Sequence, residues 1–537
     1  MAEGTTLPDR AQRGDRLAAF VAGIVAAVAA TTGMLALGIL LDRPTLPELV
    51  AEGIANLTPL EIIERMVHTL GATAKRLLFG AVLLGQIAIG GALGVVILRR
   101  GFTATQVIVT LASLEAIAGL IALPLLGAGV LGASSRAGVG ATLVGLLLVG
   151  LLYVAGYNVV WRFLNPGGTF AEEDVASRRT FLKNAALLSG GMILGVGGFR
   201  WLAERLAPPP VPGVLSTEVG KTAAAIAAAG SLPEAIAAGV PGLSPEITPN
   251  EKFYVVSKNF FRDPEVNAQS WRLEVGGLVE RPVTLTYEDM KALPSSAQFL
   301  TLQCISNEIG GELIGNAHWR GTSLANLLTQ SGVKAGAVDV IFTAADGYTD
   351  SIPIAKAMQA DTMLAYEMNG EVLPQLHGFP VRMLVPDIYG MKNVKWVTKI
   401  EVVEYDFKGY WMVRGWSDVA AMNTTSRIDI PKNASVLQTG ANYVGGVAVA
   451  GERGIRQVEV STDSGRSWNP AFLKPSLGPN AWSLWVYEWQ MPAGGPDQHK
   501  VLVRATDGTG AVQTAMVRET LPDGATGYHA VSVKAES

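Results

Sequence analysis

The segment LTLQCISNEIGGELIGNAHW, Leu300–Trp319, contains Cys304, the only cysteine in a chain of 537 residues. One cysteine excludes an internal disulfide, a CxxC zinc site and a cysteine-ligated iron–sulfur cluster. A lone cysteine is usually an inert buried thiol. Here the polar, glycine-containing stretch SNEIGG follows it, and such a loop argues against a position in a packed core.

Apolar residues are concentrated in the first 206 positions, and the net charge of −4 gives no sign of a nucleic-acid partner. A membrane-spanning helix needs about 20 predominantly apolar residues. Stretches of this kind predict five spans, at about 17–41, 77–98, 103–131, 139–161 and 184–202. The first is too long to be a removable signal peptide and lacks a cleavage signature.

Basic residues set the orientation of these spans. Arginines precede the first span, follow the second at Arg99 and Arg100, and lie between the fourth and the fifth. Cytoplasmic loops carry the excess of Lys and Arg, so the N-terminus is predicted to be cytoplasmic. Five crossings then place everything after about residue 206 outside, in a multi-pass protein of the bacterial cytoplasmic membrane.

The heptapeptide SRRTFLK, Ser177–Lys183, opens the predicted fifth span. It resembles a twin-arginine signal, which is read by an export machinery that passes folded domains. Its alternative role is to anchor a helix end by the positive-inside bias. Folded export suits a domain that receives a cofactor in the cytoplasm.

Two polar side chains fall inside the predicted spans, Gln86 and Glu115. A carboxylate in lipid is costly and often functional, so Glu115 is a candidate for a proton path or a quinone pocket. The alternative is an interhelical hydrogen bond, with Gln86 as partner. None of the five histidines lies in a span, which makes a membrane haem improbable and calls for a separate electron carrier, a cytochrome or a quinone.

The outer half has three predicted parts. Residues 207–244, rich in Ala, Pro and Gly, form a linker. Residues 245–425 mix short strands with helices and predict an α+β domain. Residues 426–537 alternate between strands and turns and predict an all-β immunoglobulin-like sandwich, a module that more often mediates packing or dimerisation than chemistry.

Seven motifs of the outer half occur in a characteristic order. They are TPNEKFYVVSKN (Thr248–Asn259), TLQCISNEIGG (Thr301–Gly311), NAHWRGTSL (Asn316–Leu324), DGYT (Asp346–Thr349), LAYEMNGEVLP (Leu364–Pro374), HGFPVRMLVPDIYGMKNVKW (His377–Trp396) and VEVSTDSGRSW (Val458–Trp468). Together they resemble the sulfite-oxidase-type molybdopterin oxidoreductases, over about Ser244 to Ser537. The membrane part is similar to a bacterial, membrane-anchored branch of that family.

The resemblance implies one molybdopterin, whose dithiolene holds molybdenum, and one protein thiolate as a further sulfur ligand. Cys304 matches the thiolate position, and a metal-bound cysteine is deprotonated. The cofactor contacts that the resemblance implies are Ser257, Lys258, Asn259, Asp346, His377, Arg382, Asn393, Val394 and Lys395. His318 and Arg320 are near Cys304 in sequence and are candidates for the mouth of the site.

The sequence departs from the family where the substrate binds. Sulfite oxidases have an arginine a few residues after the ligand cysteine, whereas this chain has Glu308 and Ile309. A carboxylate there repels sulfite. Trp416 stands near the place of a family tyrosine, and no haem or flavin domain is recognisable.

Three functions follow from these observations. The first is a molybdenum oxidoreductase that transfers oxygen atoms on a small molecule other than sulfite. The second is a reductase of sulfoxides such as oxidised methionine. The third is a degenerate member that acts as a membrane sensor or binding protein. The sandwich implies a possible homodimer by analogy with the family.

Overall fold

The computed structural model describes residues 9–41, 43–59, 62, 66, 73–102, 104–133, 138–164, 241–259, 263–493 and 498–535. They belong to two compact units: one extends to residue 214 and includes Asn259, and the other contains residues 241–258 and everything from Asp263 onward. The predicted fifth span (184–202), the twin-arginine-like motif (177–183) and most of the predicted linker (207–244) lie outside the described residues.

Long apolar helices form the first unit. They are α1 (Asp9–Leu41), α2 (Leu46–Leu57), α3 (Thr73–Arg100), α4 (Ala104–Ile117) and α5 (Gly138–Leu164). Four segments are long and apolar enough to cross a membrane, Arg16–Leu41, Thr73–Arg100, Thr105–Leu125 and Gly138–Trp161. Four of the predicted spans are therefore supported as apolar helices.

The third of these segments is shorter than the predicted span 103–131. It continues from α4 through a π-helical turn at Ala118–Ala122 and ends at Leu125. Gly127 and Gly129 follow with φ of 81° and 74°. Backbone in that left-handed region leaves the helix, which glycine tolerates without steric cost.

Glycine allows α1 and α3 to approach closely. A methyl group added at Gly90 would lie 2.4 Å from the Cβ of Ala27, and one at Gly94 would lie 2.3 Å from the carbonyl oxygen of Ala19. Tyr153 on α5 donates to the carbonyl of Gly90 over 2.6 Å. The Gly90–Gly94 spacing thus has the packing role that small residues have between membrane helices.

Gln86 and Glu115 have different neighbours. The alternative predicted for them, a hydrogen bond to each other, is not observed. Gln86 donates its amide to the Thr31 hydroxyl over 3.0 Å. The carboxylate of Glu115 lies against α5, where a methyl group on Gly150 would be 2.5 Å from Oε1.

The second unit begins with two sheets and three short helices. In chain order the strands are β1 (Leu273–Gly277), β2 (Val283–Leu285), β3 (Ser295–Gln303), β4 (Ile314–Ser323), β5 (Asp339–Ala344), β6 (Thr349–Pro353), β7 (Met363–Met368), β8 (Glu371–Val372), β9 (Arg382–Leu384) and β10 (Val397–Val403). The helices are α6 (Tyr287–Ala292), α7 (Leu324–Ser331) and α8 (Ile354–Ala357). One sheet has the order β2-β1-β10-β5-β6, and the other has the order β3-β4-β7-β8 with β9 also on β7. The predicted α+β organisation is confirmed.

The apolar side chains explain these elements. Leu324, Leu327 and Leu328 on α7 are buried together with alternate residues of β1, β5 and β10 in one core. Spacings of three and four residues place side chains on one face of a helix, and alternation places them on one face of a strand. Ser323 caps α7, and Gly332 ends it with φ of 71°.

The last part of the chain is a two-sheet sandwich. Its strands are β11 (Thr425–Ile430), β12 (Val436–Leu437), β13 (Gly440–Val449), β14 (Ile455–Ser461), β15 (Asn469–Pro470), β16 (Phe472–Leu473), β17 (Ser483–Met491), β18 (Gln498–Asp507) and β19 (His529–Ala535). The sheets, β11-β13-β17-β16 and β12-β19-β18-β14-β15, share one buried core. The sandwich agrees with the prediction, whereas its assignment to the immunoglobulin type stays a prediction.

The sandwich contacts the preceding α+β part directly. The backbone N–H of Thr301 on β3 donates to the carbonyl of Asn480, and the N–H of Trp482 donates to the Thr301 hydroxyl over 2.8 Å. The segment 244–248 lies at this junction, since the Trp482 indole N–H and the Asn316 amide both donate to the carbonyl of Glu246. The two parts therefore form one continuous unit around β3.

Candidate functional site

Cys304 lies directly after β3, at the start of the loop that leads to β4. Its N–H donates to the Leu313 carbonyl over 2.9 Å, which closes the loop at its base. The side chain is buried, and Sγ lies 3.0 Å from the Ser306 hydroxyl. Burial raises the pKa of the thiol, while the hydrogen bond from Ser306 favours the thiolate. A thiolate buried at this point has lost its solvating water. A cation must therefore compensate for its negative charge.

Two buried polar atoms near Cys304 have no hydrogen-bond partner within the part of the chain that the structure describes. They are the Tyr254 hydroxyl and the Nε of Arg382. The pKa of Tyr254 is raised by burial and further by the neighbouring Cys304, and burial lowers the pKa of Arg382 to about 10. Buried polar atoms are normally paired, so an unpaired donor here indicates a missing ligand.

Arg382 is held so that its guanidinium cannot turn away. It lies in β9, donates Nη1 to the His377 carbonyl over 3.2 Å, and stacks 5.7 Å from the centroid of the Trp319 ring. The Tyr254 hydroxyl rests against Gly390, where a methyl group would lie 2.6 Å from it. A larger residue at 390 would fill this space.

His377 is buried in its neutral form. Its Nε2–H donates to the Asn250 carbonyl over 2.7 Å, which leaves Nδ1 as a hydrogen-bond acceptor. Burial lowers its pKa to about 4, and Arg382 and Lys395 add to this effect. The side chain can therefore accept from a ligand N–H at neutral pH.

Backbone hydrogen bonds bring Asp346 and Lys395 to the same region. Ala345 N–H donates to the Trp396 carbonyl, and Trp396 N–H donates to the Gly378 carbonyl. Asp346 is buried in a turn where its Oδ1 accepts from the Tyr348 N–H, and the Lys395 ammonium lies 3.1 Å from the Leu376 carbonyl. Asp346, His377, Arg382 and Lys395 are thus grouped by the fold, as predicted from their motifs.

Asn393 and Val394 have internal roles. The Asn393 amide accepts from the Val385 N–H over 2.7 Å and donates to the carbonyls of Ile388 and Tyr389. The Val394 side chain is buried in the core. If either contacts a ligand, it does so through its backbone.

The predicted contacts 257–259 divide between the two compact units. Ser257 and Lys258 belong to the second unit, where the Lys258 ammonium lies 5.4 Å from the centroid of the Tyr410 ring. Tyr410 in turn packs on Tyr348, next to Asp346. Asn259 groups with the first unit, so the geometry supports Lys258 more than Asn259.

His318 and Arg320 point to a different part of β4. Register pairs Ile314 with Gln303, next to the cysteine, and His318 with Phe299. The four intervening steps along a strand cover about 13 Å. Arg320 pairs with Glu367 at 3.6 Å and is half exposed. Neither residue is placed at the thiol.

The sequence patterns missed two features. Tyr254 lies inside the motif TPNEKFYVVSKN, but its aromatic character resembles that of an ordinary core residue. Lys392 is fully buried, with its ammonium 3.1 Å from Asp350 Oδ1 and 2.7 Å from the Ser351 carbonyl. The signal for this pair was the carboxylate of Asp350 in TDSIP, where the three central residues of the strand are buried.

The donor set fits a molybdopterin. Within the described residues no group of three or more His, Cys, Asp or Glu side chains could hold a metal by itself. Tyr254, His377 and Arg382 would hold the pterin, since they offer donors and an acceptor in a buried cradle. When bound, the group supplies two-electron oxygen-atom chemistry at molybdenum, a soft metal partner for a thiolate.

Comparison with known proteins identifies the class. The oxidoreductase molybdopterin binding domain matches residues 261–411, and the Mo-co oxidoreductase dimerisation domain matches residues 417–536. The protein is a molybdopterin-binding oxidoreductase. Sulfite oxidase of Gallus gallus is 31% identical over 315 residues, which cover 50% of this chain and 68% of the relative. The chain belongs to the sulfite oxidase family.

Other relatives share the same half of the chain. Mitochondrial sulfite oxidase of Drosophila melanogaster is 33% identical over 348 residues, 53% of this chain and 59% of the relative. NADH nitrate reductase of Volvox carteri is 29% identical over 332 residues, 50% of this chain and 38% of the relative. The crystal structure of sulfane dehydrogenase SoxCD from Paracoccus pantotrophus matches with a TM-score of 0.49 and 26% identity, over 55% of this chain and 83% of that chain.

Proposed function

We propose that this chain is a membrane-anchored molybdenum–molybdopterin oxidoreductase that transfers an oxygen atom to or from a substrate other than sulfite, outside the cytoplasmic membrane. The observation that carries the substrate class is the loop after Cys304. Glu308 is exposed on it, at the position where sulfite oxidases have an arginine. A carboxylate raises the energy of an approaching dianion and leaves a neutral substrate unaffected.

A narrow cleft adjoins this loop, between it and β11 and β13. Its polar lining includes Gln303, Asn307, Glu308 and Arg427. Arg427 is already paired with Asp429 at 2.7 Å, so it adds little attraction for an anion. The second candidate function, reduction of sulfoxides such as methionine sulfoxide, is favoured by Glu308, because a carboxylate disfavours an anionic substrate and not a neutral one.

In this proposal Cys304 is the molybdenum ligand and the catalytic thiolate. Asp346, His377, Arg382 and Lys395 hold the pterin, with Tyr254 as an added contact. Asn393 and Val394 contribute backbone groups, and Ser257, Lys258 and Asn259 are the softer contacts. The family assignment leaves the degenerate sensor without a supporting observation.

The remaining predictions concern the localisation, the export, the electron carrier and the oligomeric state of the enzyme. The apolar helices support a bilayer anchor, with the N-terminus in the cytoplasm and the catalytic part outside. The proposal also includes export by the twin-arginine machinery. It includes a separate electron carrier, which is a cytochrome or a quinone. The match to a dimerisation domain supports a homodimer formed by the immunoglobulin-like part, residues 426–537. No haem, iron–sulfur cluster or flavin is expected.

Molybdenum content tests the cofactor assignment. The protein is purified from a host that makes molybdopterin, and metal per chain is measured by mass spectrometry for wild type, Cys304→Ser and the control Ser464→Ala on an exposed turn. We expect stoichiometric metal in wild type and control and its loss in Cys304→Ser. Wild type without molybdenum would overturn the assignment.

Substrate assays with a redox dye test the substrate class. Metal-loaded enzyme is supplied with sulfite and with methionine sulfoxide. We expect turnover of the sulfoxide and little of sulfite, and an increase with sulfite in Glu308→Arg. Efficient oxidation of sulfite by wild type would contradict the proposed substrate class while leaving the cofactor assignment intact.

A further inference from the structure

The loop that follows Cys304 is held by the C-terminal sandwich, and not only by its own sheets. Arg427 of β11 donates Nη1 to the Gly311 carbonyl over 2.9 Å. Its Nη2 donates to the Ser244 hydroxyl over 2.9 Å, and its Nε pairs with Asp429 Oδ1 at 2.7 Å. A planar guanidinium whose Nε, Nη1 and Nη2 each donate a hydrogen bond has a fixed orientation. Arg427 therefore fixes the position of the Gly311 carbonyl.

The position of Gly311 is transmitted to the cysteine through a short closed loop. Gly311 N–H donates to the Glu308 carbonyl, and the Asn307 amide oxygen accepts from the Leu313 N–H over 2.8 Å. The Leu313 carbonyl accepts from the N–H of Cys304. Asn307 N–H also donates to the Cys304 carbonyl, so movement at Gly311 is transmitted to both residues that are hydrogen-bonded to the cysteine backbone, Asn307 and Leu313.

A second contact from the sandwich supports the same loop. The ring of His529 on β19 packs on Gly310, where an added methyl group would lie 2.3 Å from Nε2. The Ile428 N–H donates to His529 Nδ1 over 2.9 Å, which locks the ring. Gly310 has φ of 76°. Glycine is therefore required here both by this backbone conformation and by the close approach of the His529 ring.

We propose that Arg427 is a positioning residue for the molybdenum-ligand loop, and that the sandwich thereby acts on the metal site of its own chain. This inference rests on the proposed function insofar as Cys304 is the ligand. It assigns the C-terminal part a role in each protomer that is independent of dimerisation.

The single thiol gives a direct measurement of loop opening. Cofactor-free protein is made in a host without molybdopterin synthesis, and the rate at which Cys304 is alkylated by iodoacetamide is measured at fixed pH. A charged hydrogen bond that closes a loop makes opening rarer by roughly tenfold or more. We expect Arg427→Met to accelerate alkylation by about tenfold, and Arg427→Lys, which keeps charge but loses the fork, to fall between it and wild type.

Arg504→Met is the matched control. Arg504 pairs with Glu459 at 2.8 Å within the same sandwich and has similar exposure, 25% against 15% for Arg427. Its loss should leave alkylation at the wild-type rate. Equal rates in Arg427→Met and wild type, or equal acceleration in Arg504→Met, would overturn the inference.

Metal-loaded protein provides the second readout. Arg427→Met should change the electron paramagnetic resonance spectrum of the pentavalent metal, whereas Arg504→Met should not. An unchanged spectrum in both would refute positioning at the metal. If wild type holds no molybdenum, the proposed function fails, but the alkylation rates still decide whether the sandwich clamps this loop.

Discussion

At the scale of single residues, Tyr254 has the most informative side chain. Its hydroxyl is buried beside Cys304 and has no partner among the described residues. Tyr389 also lies near the cysteine, but its hydroxyl accepts from the Asn423 N–H over 3.2 Å. The two tyrosines therefore differ in whether the hydroxyl has a hydrogen-bond partner among the described residues.

We expect Tyr254→Phe to keep or slightly raise the melting temperature of cofactor-free protein, because it removes an unsatisfied buried group. The same change should weaken cofactor retention by roughly tenfold, the value of one hydrogen bond. Tyr389→Phe is the matched control and should lower the melting temperature. A Tyr254→Phe variant that is destabilised without cofactor would show that the hydroxyl is used by the protein.

His377 gives a prediction about pH. Its folded-state pKa is about 4, below the ordinary value of about 6.5. Between these values the unfolded chain binds a proton that the folded chain does not bind, so this side chain reduces stability as pH falls from about 6.5 to 4. We expect the drop in melting temperature from pH 7.5 to pH 5 to be smaller in cofactor-free His377→Gln than in wild type. An equal drop would contradict the buried neutral state.

Some residues of the candidate site can be recognised from sequence motifs, and others cannot. Cys304, His377 and Arg382 were proposed from the motifs that resemble the family; the structure shows that all three are buried, and their contact with a cofactor stays a prediction. Tyr254 was not predicted, because its role depends on whether a polar atom has a partner in three dimensions. Arg427 was missed for the same reason, since two of its three partners, Gly311 and Ser244, are distant in sequence.

At the scale of elements, a buried ion pair joins β6 to the turn before Lys395. Lys392 and Asp350 are both almost fully buried, and burial raises the pKa of Asp350. The Tyr348 hydroxyl lies 2.8 Å from the same carboxylate. Removing one member of such a pair leaves an uncompensated charge.

We expect Asp350→Asn to lower the free energy of unfolding by about 3–5 kcal/mol, measured by urea denaturation of the detergent-solubilised protein. The double variant Asp350→Leu/Lys392→Met should recover part of this loss. Lys399→Met is the control: its ammonium pairs with Glu401 at 2.7 Å but is 40% exposed. It should cost about 0–1 kcal/mol. Similar losses for both pairs would contradict the importance of burial.

Elements were predicted well where one periodicity dominates. Apolar and polar residues alternate in the sequence of β1 and β10, and apolar residues recur at spacings of three and four in α7. The span 103–131 was drawn too long because hydropathy alone does not register the φ values of Gly127 and Gly129. The partners of Gln86 and Glu115 were likewise unpredictable, since they depend on how the helices rotate against each other.

At the scale of the whole molecule, orientation across the membrane is the main prediction. A cysteine introduced as Ala515→Cys lies on an exposed loop of the second unit, while the native thiol is buried. If the catalytic part is outside, a membrane-impermeant maleimide should label this variant in intact cells. Wild type serves as the blank. Labelling only after permeabilisation would place the domain in the cytoplasm.

The segment 244–248 joins parts of the second unit that are far apart in sequence. Its contacts reach far along the chain: Ser244 to Asp429, Thr248 to Asn316, and Glu246 to Trp482 at a separation of 236 residues. A strand of chain that precedes both the α+β part and the sandwich is therefore fixed only when both are in place. Contacts of such long range form late because loop closure must come first. Residues 244–248 therefore become fixed only when the α+β part and the sandwich have both formed.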